Sequence, residues 1–365
     1  MTEAAPSPAP LFELSTGYWA FKTLATAYEL QLFARLSGTP GMTCAEWAER
    51  CGIDARPARA LLTGCASLGL LEKTGERYRN SPLSEAYLVP GKPHHFGGLL
   101  TMLDHRLYAA WGRLAEAVRT NRPVTWDSDR VRSLFESQDP AVTDTFWESM
   151  HTLSSFTGEA LTTAIDLKGA RSLLDVGGGS GALALTLCGH WPDMKATVYD
   201  LPFVTRIAED HIEAAGMSGR VRTADGDFFA DASLPEGHDV HTFSNVLHDW
   251  READAKVLLK KSFDALAPGG LLVIAGYFVN EEETGPPLAA LMGLAQLIET
   301  EGRSYTASEY AGWAAEAGFV DPRTACVESV GANGVLTARK PAAEHPDVPP
   351  RPAMTTHPIE RPQVT

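Results

Sequence analysis

Apolar positions recur at helical spacing from Tyr18 to Leu36 (Trp19, Leu24, Ala27, Leu30, Phe33), and Gly38 and Pro40 supply a stop. Thr43, with Glu46 three residues on, forms a capping box for a helix over Ala45 to Arg50. Cys51-Gly52 makes a turn, Asp54 caps a second helix ending near Leu68, and LLEKTGERYRN alternates about Thr74-Gly75 like a short hairpin. Helix, turn, helix and two-stranded wing make a winged-helix pattern. Residues 96 to 165 read as amphipathic helices with a stripe of Phe146, Trp147, Met150 and Phe156, which by default is plain core. They lead straight into the second half of the chain, where they are expected to roof a pocket.

After Lys168-Gly169 the pattern changes. SLLDV, ATVYDL, VRTADGDFF, DVHTFSNVL and GGLLVIAGYF read as strands, separated mostly by helical segments such as ALALTLCGHW and EADAKVLLKKSFDAL. Such alternation predicts a parallel sheet with helices on both faces. RTACVESV and GVLTARK follow a final helix and join through Ala332-Asn333-Gly334; Asn-Gly is the strongest short hairpin signal, so the last strand runs backwards. The expected organisation is a disordered start (1–14), the winged-helix module (15–105), connecting helices (106–165), the sheet domain (166–340) and a disordered Pro-rich tail (341–365).

Composition narrows the partners. The chain of 365 residues is 44% hydrophobic and 21% charged, a globular balance. A net charge of -15 argues against nucleic acid and anionic membrane surfaces, which are bound through Lys and Arg. DNA binding by the module would rest on Arg56 and Arg59, so a structural or dimer-forming role is the better reading. No apolar run approaches the ~20 residues of a membrane span. MTEAAPSPAP has no secretory pattern, and the five scattered cysteines contain no C-x-x-C, which together suggest a cytoplasmic protein with reduced thiols.

Three motifs fall at successive strand ends. LLDVGGGSG sets Asp175 before Gly177, Gly179 and Gly181, a spacing unlike the G-x-G-x-x-G of dinucleotide folds and better suited to a cationic ligand. Asp200 ends the second strand, where a carboxylate can accept from ribose hydroxyls. Asp227 in DGDFF can take an adenine amino group while Phe228 packs on the ring. Each acid alone reads as well as a surface carboxylate; the ordered series is the signal. SNVLHDW then places His248 and Asp249 at the mouth of the sheet, where a histidine alone is ordinarily a solvated loop residue.

With these residues in view, the chain resembles the S-adenosylmethionine-dependent small-molecule O-methyltransferases of the caffeic acid, hydroxyindole and anthracycline-tailoring type. LDVGGGSG, the acid of VYDLP, GDFF, SNVLHDW and ALAPGG follow that family's order over roughly residues 15 to 340. The resemblance implies an α/β fold: a Rossmann-like methyltransferase sheet with an antiparallel last strand, preceded by an all-helical winged-helix dimerisation domain bearing the wing. It implies a homodimer, S-adenosylmethionine as cofactor, and cofactor contacts at Gly177, Gly179, Asp200, Leu201, Asp227, Phe228 and Ser244, with Asp249 on the cofactor side. His248 becomes the general base toward a phenolic hydroxyl of an aromatic secondary metabolite. Substrate contacts are expected at Trp147, Met150, His151, Met292, Gln296 and Ser304.

The chain departs from that pattern where plant members carry two glutamates flanking the histidine: the first position reads AGYF, and Ser304 stands at the second. Glu299 or Glu301 can reach in from LIETEGRSY, and Glu301 is taken as the catalytic partner. Related C-methyltransferases hold iron with a further downstream histidine; none lies between Leu291 and Ser304, so no metal is expected. The alternatives are a C-methyltransferase, a non-methylating tailoring enzyme on the same fold, or a cofactor-sensing DNA-binding regulator. A nicotinamide dehydrogenase is disfavoured by the glycine spacing and the reversed strand.

Overall fold

The computed structural model describes residues 6–126, 135 and 140–342. The chain divides into two compact units, Met1–Tyr108 and Ala109–Thr365.

In the first unit, helix Ala9–Glu29 starts inside the stretch expected to be disordered, with Pro8 as its N-cap and Pro10 in its first turn. Thr43 and Glu46 form the predicted capping box on helix Cys44–Cys51, and left-handed Gly52 ends it. Asp54 stands at the N-cap of helix Ala55–Ser67, but its side chain makes no cap hydrogen bond. The wing gains a strand: β1 (Met42–Thr43) pairs with β3 (Arg77–Asn80), which pairs in turn with β2 (Leu71–Thr74). Two residues are too few to show a period, so β1 had no sequence signature. Phe33, Trp47, Leu62, Cys65 and Tyr78 form the core; large side chains buried this way contribute about 1.5–3 kcal/mol each. Arg56 and Arg59 are exposed.

The second unit is a seven-stranded sheet in the order β11-β12-β8-β7-β4-β5-β6. Its strands are β4 (Ser172–Val176), β5 (Lys195–Asp200), β6 (Val221–Asp225), β7 (Val240–Ser244), β8 (Leu271–Gly276), β11 (Val320–Cys326) and β12 (Gly334–Arg339). Strands β4 to β8 are parallel, and β12 is antiparallel to both neighbours. A separate parallel pair joins β9 (Phe278–Val279) to β10 (Tyr305–Thr306). The reversed strand is as expected, but the link to it is longer than a two-residue turn. The Asn333 amide brackets Phe278 instead, accepting from its N–H at 2.7 Å and donating to its carbonyl at 2.9 Å.

Apolar cores line both faces of the sheet, one with Leu173, Leu187 and Val198, the other with Leu174, Phe243 and Leu259. Adjacent residues of β4 thus serve opposite faces, as the alternation of side chains along a strand requires. All five cysteines are free. Among the described residues no helix is long and apolar enough to cross a membrane. The tail from 343 lies outside the described residues.

Candidate active site

The carboxyl ends of the parallel strands carry the site. After β4 the chain turns through Gly177-Gly178-Gly179 into helix Ala182–His190. Asp200, buried at the end of β5, clamps this turn: Oδ2 accepts the Gly179 N–H at 2.9 Å and Oδ1 accepts the Leu201 N–H at 2.7 Å. Each oxygen keeps a lone pair for another donor. Burial pushes the Asp200 carboxyl up to about 6, against the pull of those two amides. Gly179 has φ +57, and a Cβ there would lie 2.9 Å from the Trp147 ring; a side chain meets both strain and a clash.

Asp175 sits beneath the turn, not in it. Thr242 Oγ1 donates to its Oδ1 at 2.7 Å, and its Oδ2 is buried with no partner among the described residues. Burial first, then the nearby Asp200, pushes the carboxyl up to about 7. Asp200 thus holds the glycine turn through two amides, and Asp175 packs beneath it, its Oδ2 2.8 Å from where a Gly178 Cβ would stand.

Asp227 caps its own turn, accepting from Phe229 N–H at 2.8 Å and Ala230 N–H at 3.2 Å through Oδ1. Phe228, Phe229 and Trp250 meet edge to face at 4.8, 5.8 and 4.7 Å between centroids. Lys261 holds this loop by donating to the carbonyls of Phe228, Phe229 and Asp231. Ser244 Oγ, at the end of β7, is buried without a partner among the described residues. A glycine backbone, acids with spare lone pairs, an aromatic wall and an orphan hydroxyl fit a ligand carrying ribose, adenine and an amino-acid end.

The histidine is delivered by a break in β7. The strand ends at Ser244, before the expected Val246-Leu247, because Asn245 turns left-handed with φ +54. A 3₁₀ turn, Leu247–Asp249, follows and buries His248 to 7% exposure. Its Nε2 lies 3.7 Å from Asp249 Oδ1. Burial lowers the His248 imidazole to about 4 and leaves it neutral. Burial also raises Asp249 well above the carboxylate range, and Glu299 adds to the shift.

The segment from Thr300 to Ser304 lies flat on this turn: a Cβ on Gly302 would stand 1.9 Å from the His248 carbonyl oxygen. Glu301, expected beside the imidazole, is exposed and bonded to Arg251 at 2.6 Å. A tight backbone contact under Gly302 fixes the segment, and its neighbour's side chain finds a cation outside. Glu299 is the acid whose charge bears on Asp249, while His248 is shifted by burial alone.

The expected substrate residues divide into two groups. Trp147 and His151, on helix Pro140–Ala164, lie over the glycine turn; His151 Nδ1 is 2.9 Å from Ser180 Oγ, and its ring stacks 3.9 Å from His211. Met150 is half-buried on the same helix. The others belong to helix Pro287–Glu299 and its end. Ser304 donates to the Ala289 carbonyl at 2.6 Å, Gln296 Oε1 accepts from Thr300 Oγ1 at 3.0 Å, and half-buried Met292 packs with Tyr277 and Val279. Sequence reasoning missed Ser180, His211, Asn245 and Gly302. Only Asn245 carried a signal, since Asn tolerates left-handed backbone.

Known proteins resemble both parts of the chain. Residues 111–320 match the O-methyltransferase domain, and residues 12–90 the O-methyltransferase dimerisation domain. The chain is 43% identical over 333 residues to 3-hydroxy-5-methyl-1-naphthoate 3-O-methyltransferase of Streptomyces sahachiroi, covering 91% of this chain and 95% of that one. It is 33% identical to the tetracenomycin polyketide synthesis 8-O-methyl transferase of Streptomyces glaucescens, with 92% and 97% covered. Human N-acetylserotonin methyltransferase, crystallised with S-adenosylmethionine, superposes with a TM-score of 0.83 at 29% identity, covering 94% of this chain and all of that one. The chain belongs to the S-adenosylmethionine-dependent O-methyltransferase family, with that family's N-terminal dimerisation domain.

Proposed function

We propose that this enzyme is a homodimer that methylates a phenolic hydroxyl of a fused-ring aromatic secondary metabolite, with His248 as general base. The observation that carries the reading is His248 itself: a buried, neutral imidazole at the end of β7, beside the strand ends that hold the cofactor motifs. The naphthoate and tetracenomycin enzymes among its relatives support a polycyclic phenol. The dimerisation-domain match supports the homodimer. Free thiols support a reducing, cytoplasmic setting.

When bound, S-adenosylmethionine supplies a sulfonium methyl group as the electrophile. Gly177, Gly179, Asp200, Leu201, Asp227, Phe228 and Ser244 would hold it. The chain's own task is the proton. A phenol with a pKa of about 10 is a poor nucleophile at neutral pH, and a neutral imidazole can take its proton as the oxygen attacks. Such general-base assistance supplies roughly 10² to 10⁴ in rate. Burial keeps the imidazole unprotonated. Trp147 and Met150 on one side, and Met292 and Gln296 on the other, are the side chains proposed to hold the ring system in line.

Incubation with methyl-labelled cofactor and a panel of hydroxynaphthoates and anthracycline-like phenols tests the reading. A product heavier by one methylene unit, with the new methyl on oxygen by NMR, is expected. Transfer to carbon would overturn the reading, as would cofactor binding without product from any phenol.

A further inference from the structure

The glutamates that flank the histidine in plant members are absent here: the first position reads AGYF, with Gly276 in it, Ser304 stands at the second, and Glu301 is turned to Arg251. The space above Gly276 is not empty of polar atoms. A Cβ built on Gly276 would lie 3.2 Å from Asn245 Oδ1 and 3.8 Å from His248 Nδ1, so both atoms face the same small volume. Asn245 Oδ1 is buried and has no hydrogen-bond partner among the described residues. Its Nδ2 is committed, donating to the Gly331 carbonyl at 2.9 Å, which fixes which end of the amide points toward the histidine. Its backbone is committed too: the N–H donates to the Ala275 carbonyl at 2.9 Å, and φ is +54. A buried acceptor without a donor, beside an imidazole nitrogen, is a costly arrangement unless the two are used together.

Building on the general-base reading above, we infer that Asn245 is the positioning residue for His248. Across that small volume its carbonyl oxygen, unpartnered in this structure, accepts the Nδ1–H proton through one water or a small movement of the amide, and so holds Nε2 unprotonated as the base. A neutral amide here replaces the carboxylate of the plant enzymes. It fixes the tautomer without lending negative charge, so the imidazolium formed during turnover is less favoured than it would be beside a glutamate. The absent Cβ of Gly276 is what leaves room for the amide, and the Asn333 bracket on Phe278 holds the adjoining backbone in place.

Two variants separate positioning from mere structure. Asn245→Gly keeps the left-handed backbone without strain but removes the acceptor; Asn245→Asp restores an acceptor. Both lose the bond to Gly331, so a purely structural role predicts equal damage from both. Positioning predicts that Asn245→Gly lowers kcat about tenfold, part of the ~10² to 10⁴ of a general base, with KM changed less than twofold. It predicts that Asn245→Asp recovers most of kcat and moves the acid limb of the pH profile upward. Imidazole ¹⁵N NMR of the intact enzyme should show His248 protonated at Nδ1, and that preference should vanish in Asn245→Gly. Equal kcat losses in the two variants, or an unchanged His248 tautomer, would overturn the inference. His248→Ala with undiminished turnover would instead remove the base reading, while the tautomer measurement would still judge the contact.

Discussion

Arg251 holds the Glu301 carboxylate at 2.6 Å on the exposed side of a segment whose next residue, Gly302, presses against the His248 backbone. A surface ion pair and the backbone contact with the His248 turn thus fall on adjacent residues. Exposed pairs of this kind are worth about 0–1 kcal/mol. Glu301→Gln is therefore expected to leave kcat within about twofold of wild type and to lower stability by less than about 1 kcal/mol. Steady-state kinetics check it; a tenfold loss would put Glu301 back in the reaction.

Gly302 itself should not tolerate a side chain. The obstacle to a Cβ is the His248 carbonyl, backbone that cannot swing aside, so Gly302→Ala must displace either the 300–304 segment or the 3₁₀ turn. Overpacking of this kind costs about 1–3 kcal/mol. The expected result is a lower melting temperature together with a kcat loss larger than the folded fraction accounts for, because the displaced element carries the imidazole. Thermal melts and kinetics on the same preparation would show it.

If His248 is the base, as proposed, the pH dependence of turnover follows from it. An imidazole lowered to about 4 by burial stays neutral well below the usual histidine range. The acid limb of kcat/KM should therefore fall between pH 4 and 6.5, not at 6.5. A limb at or above 6.5 would mean that a charge or a hydrogen bond to the protonated ring outweighs burial. His248→Ala should lose at least tenfold in kcat and flatten that limb.

Most of the sheet was legible because it rests on strand periodicity, and so was the gathering of glycines and acids at the strand ends proposed to hold the cofactor. The surroundings of His248 were not. SNVLHDW reads as a strand running to Leu247, yet Asn245 breaks it two residues earlier, and only the left-handed turn shows that His248 comes inward. Nor could spacing show that Glu301 faces outward, since Gly302 decides it through a contact with residues more than fifty positions away. Asp175 reads as a ligand acid from its motif but lies under the turn, where Thr242, on a different strand, donates to one of its two oxygens. Local chemistry is written locally; which side of a loop faces the site is a long-range packing outcome.

Stability against pH should show two opposing sets of groups. His241 is fully buried, with Nδ1 2.9 Å from Ser262 Oγ, and burial lowers it to about 3, aided by charge on His238 and Lys340. Its folded pKa is depressed, so above 6.5 both states are neutral and nothing is lost. Below 6.5 the unfolded chain takes a proton that the folded one refuses, and stability falls by about 1.4 kcal/mol per pH unit until about pH 3. Asp175 and Asp200, raised to about 7 and 6, act in reverse: the folded state binds protons first, so stability rises as pH drops from 7 toward 4. His241→Gln should gain on wild type as pH is lowered from 7 to 4, and Asp175→Asn should lose ground over the same window. Urea melts at several pH values measure both, and parallel curves for all three proteins would contradict the burial argument.

Asp200 offers the sharpest test of the cofactor edge. Its two oxygens accept from the Gly179 and Leu201 amides, so the glycine turn, the end of β5 and the proposed ribose contact all depend on one acceptor-only group. Asp200→Asn puts an NH₂ opposite one of those two N–H donors, leaving a buried amide unpaired at a cost of roughly 1–3 kcal/mol. If the turn moves, Trp147 moves with it, because its ring lies over Gly179. Affinity for S-adenosylmethionine by calorimetry should fall at least about tenfold, as 1.4 kcal/mol implies. Asp227→Asn should lose less, since its amide oxygen can still accept from the Phe229 and Ala230 N–H groups. Equal affinities in wild type and Asp200→Asn would mean that the cofactor does not rely on this clamp.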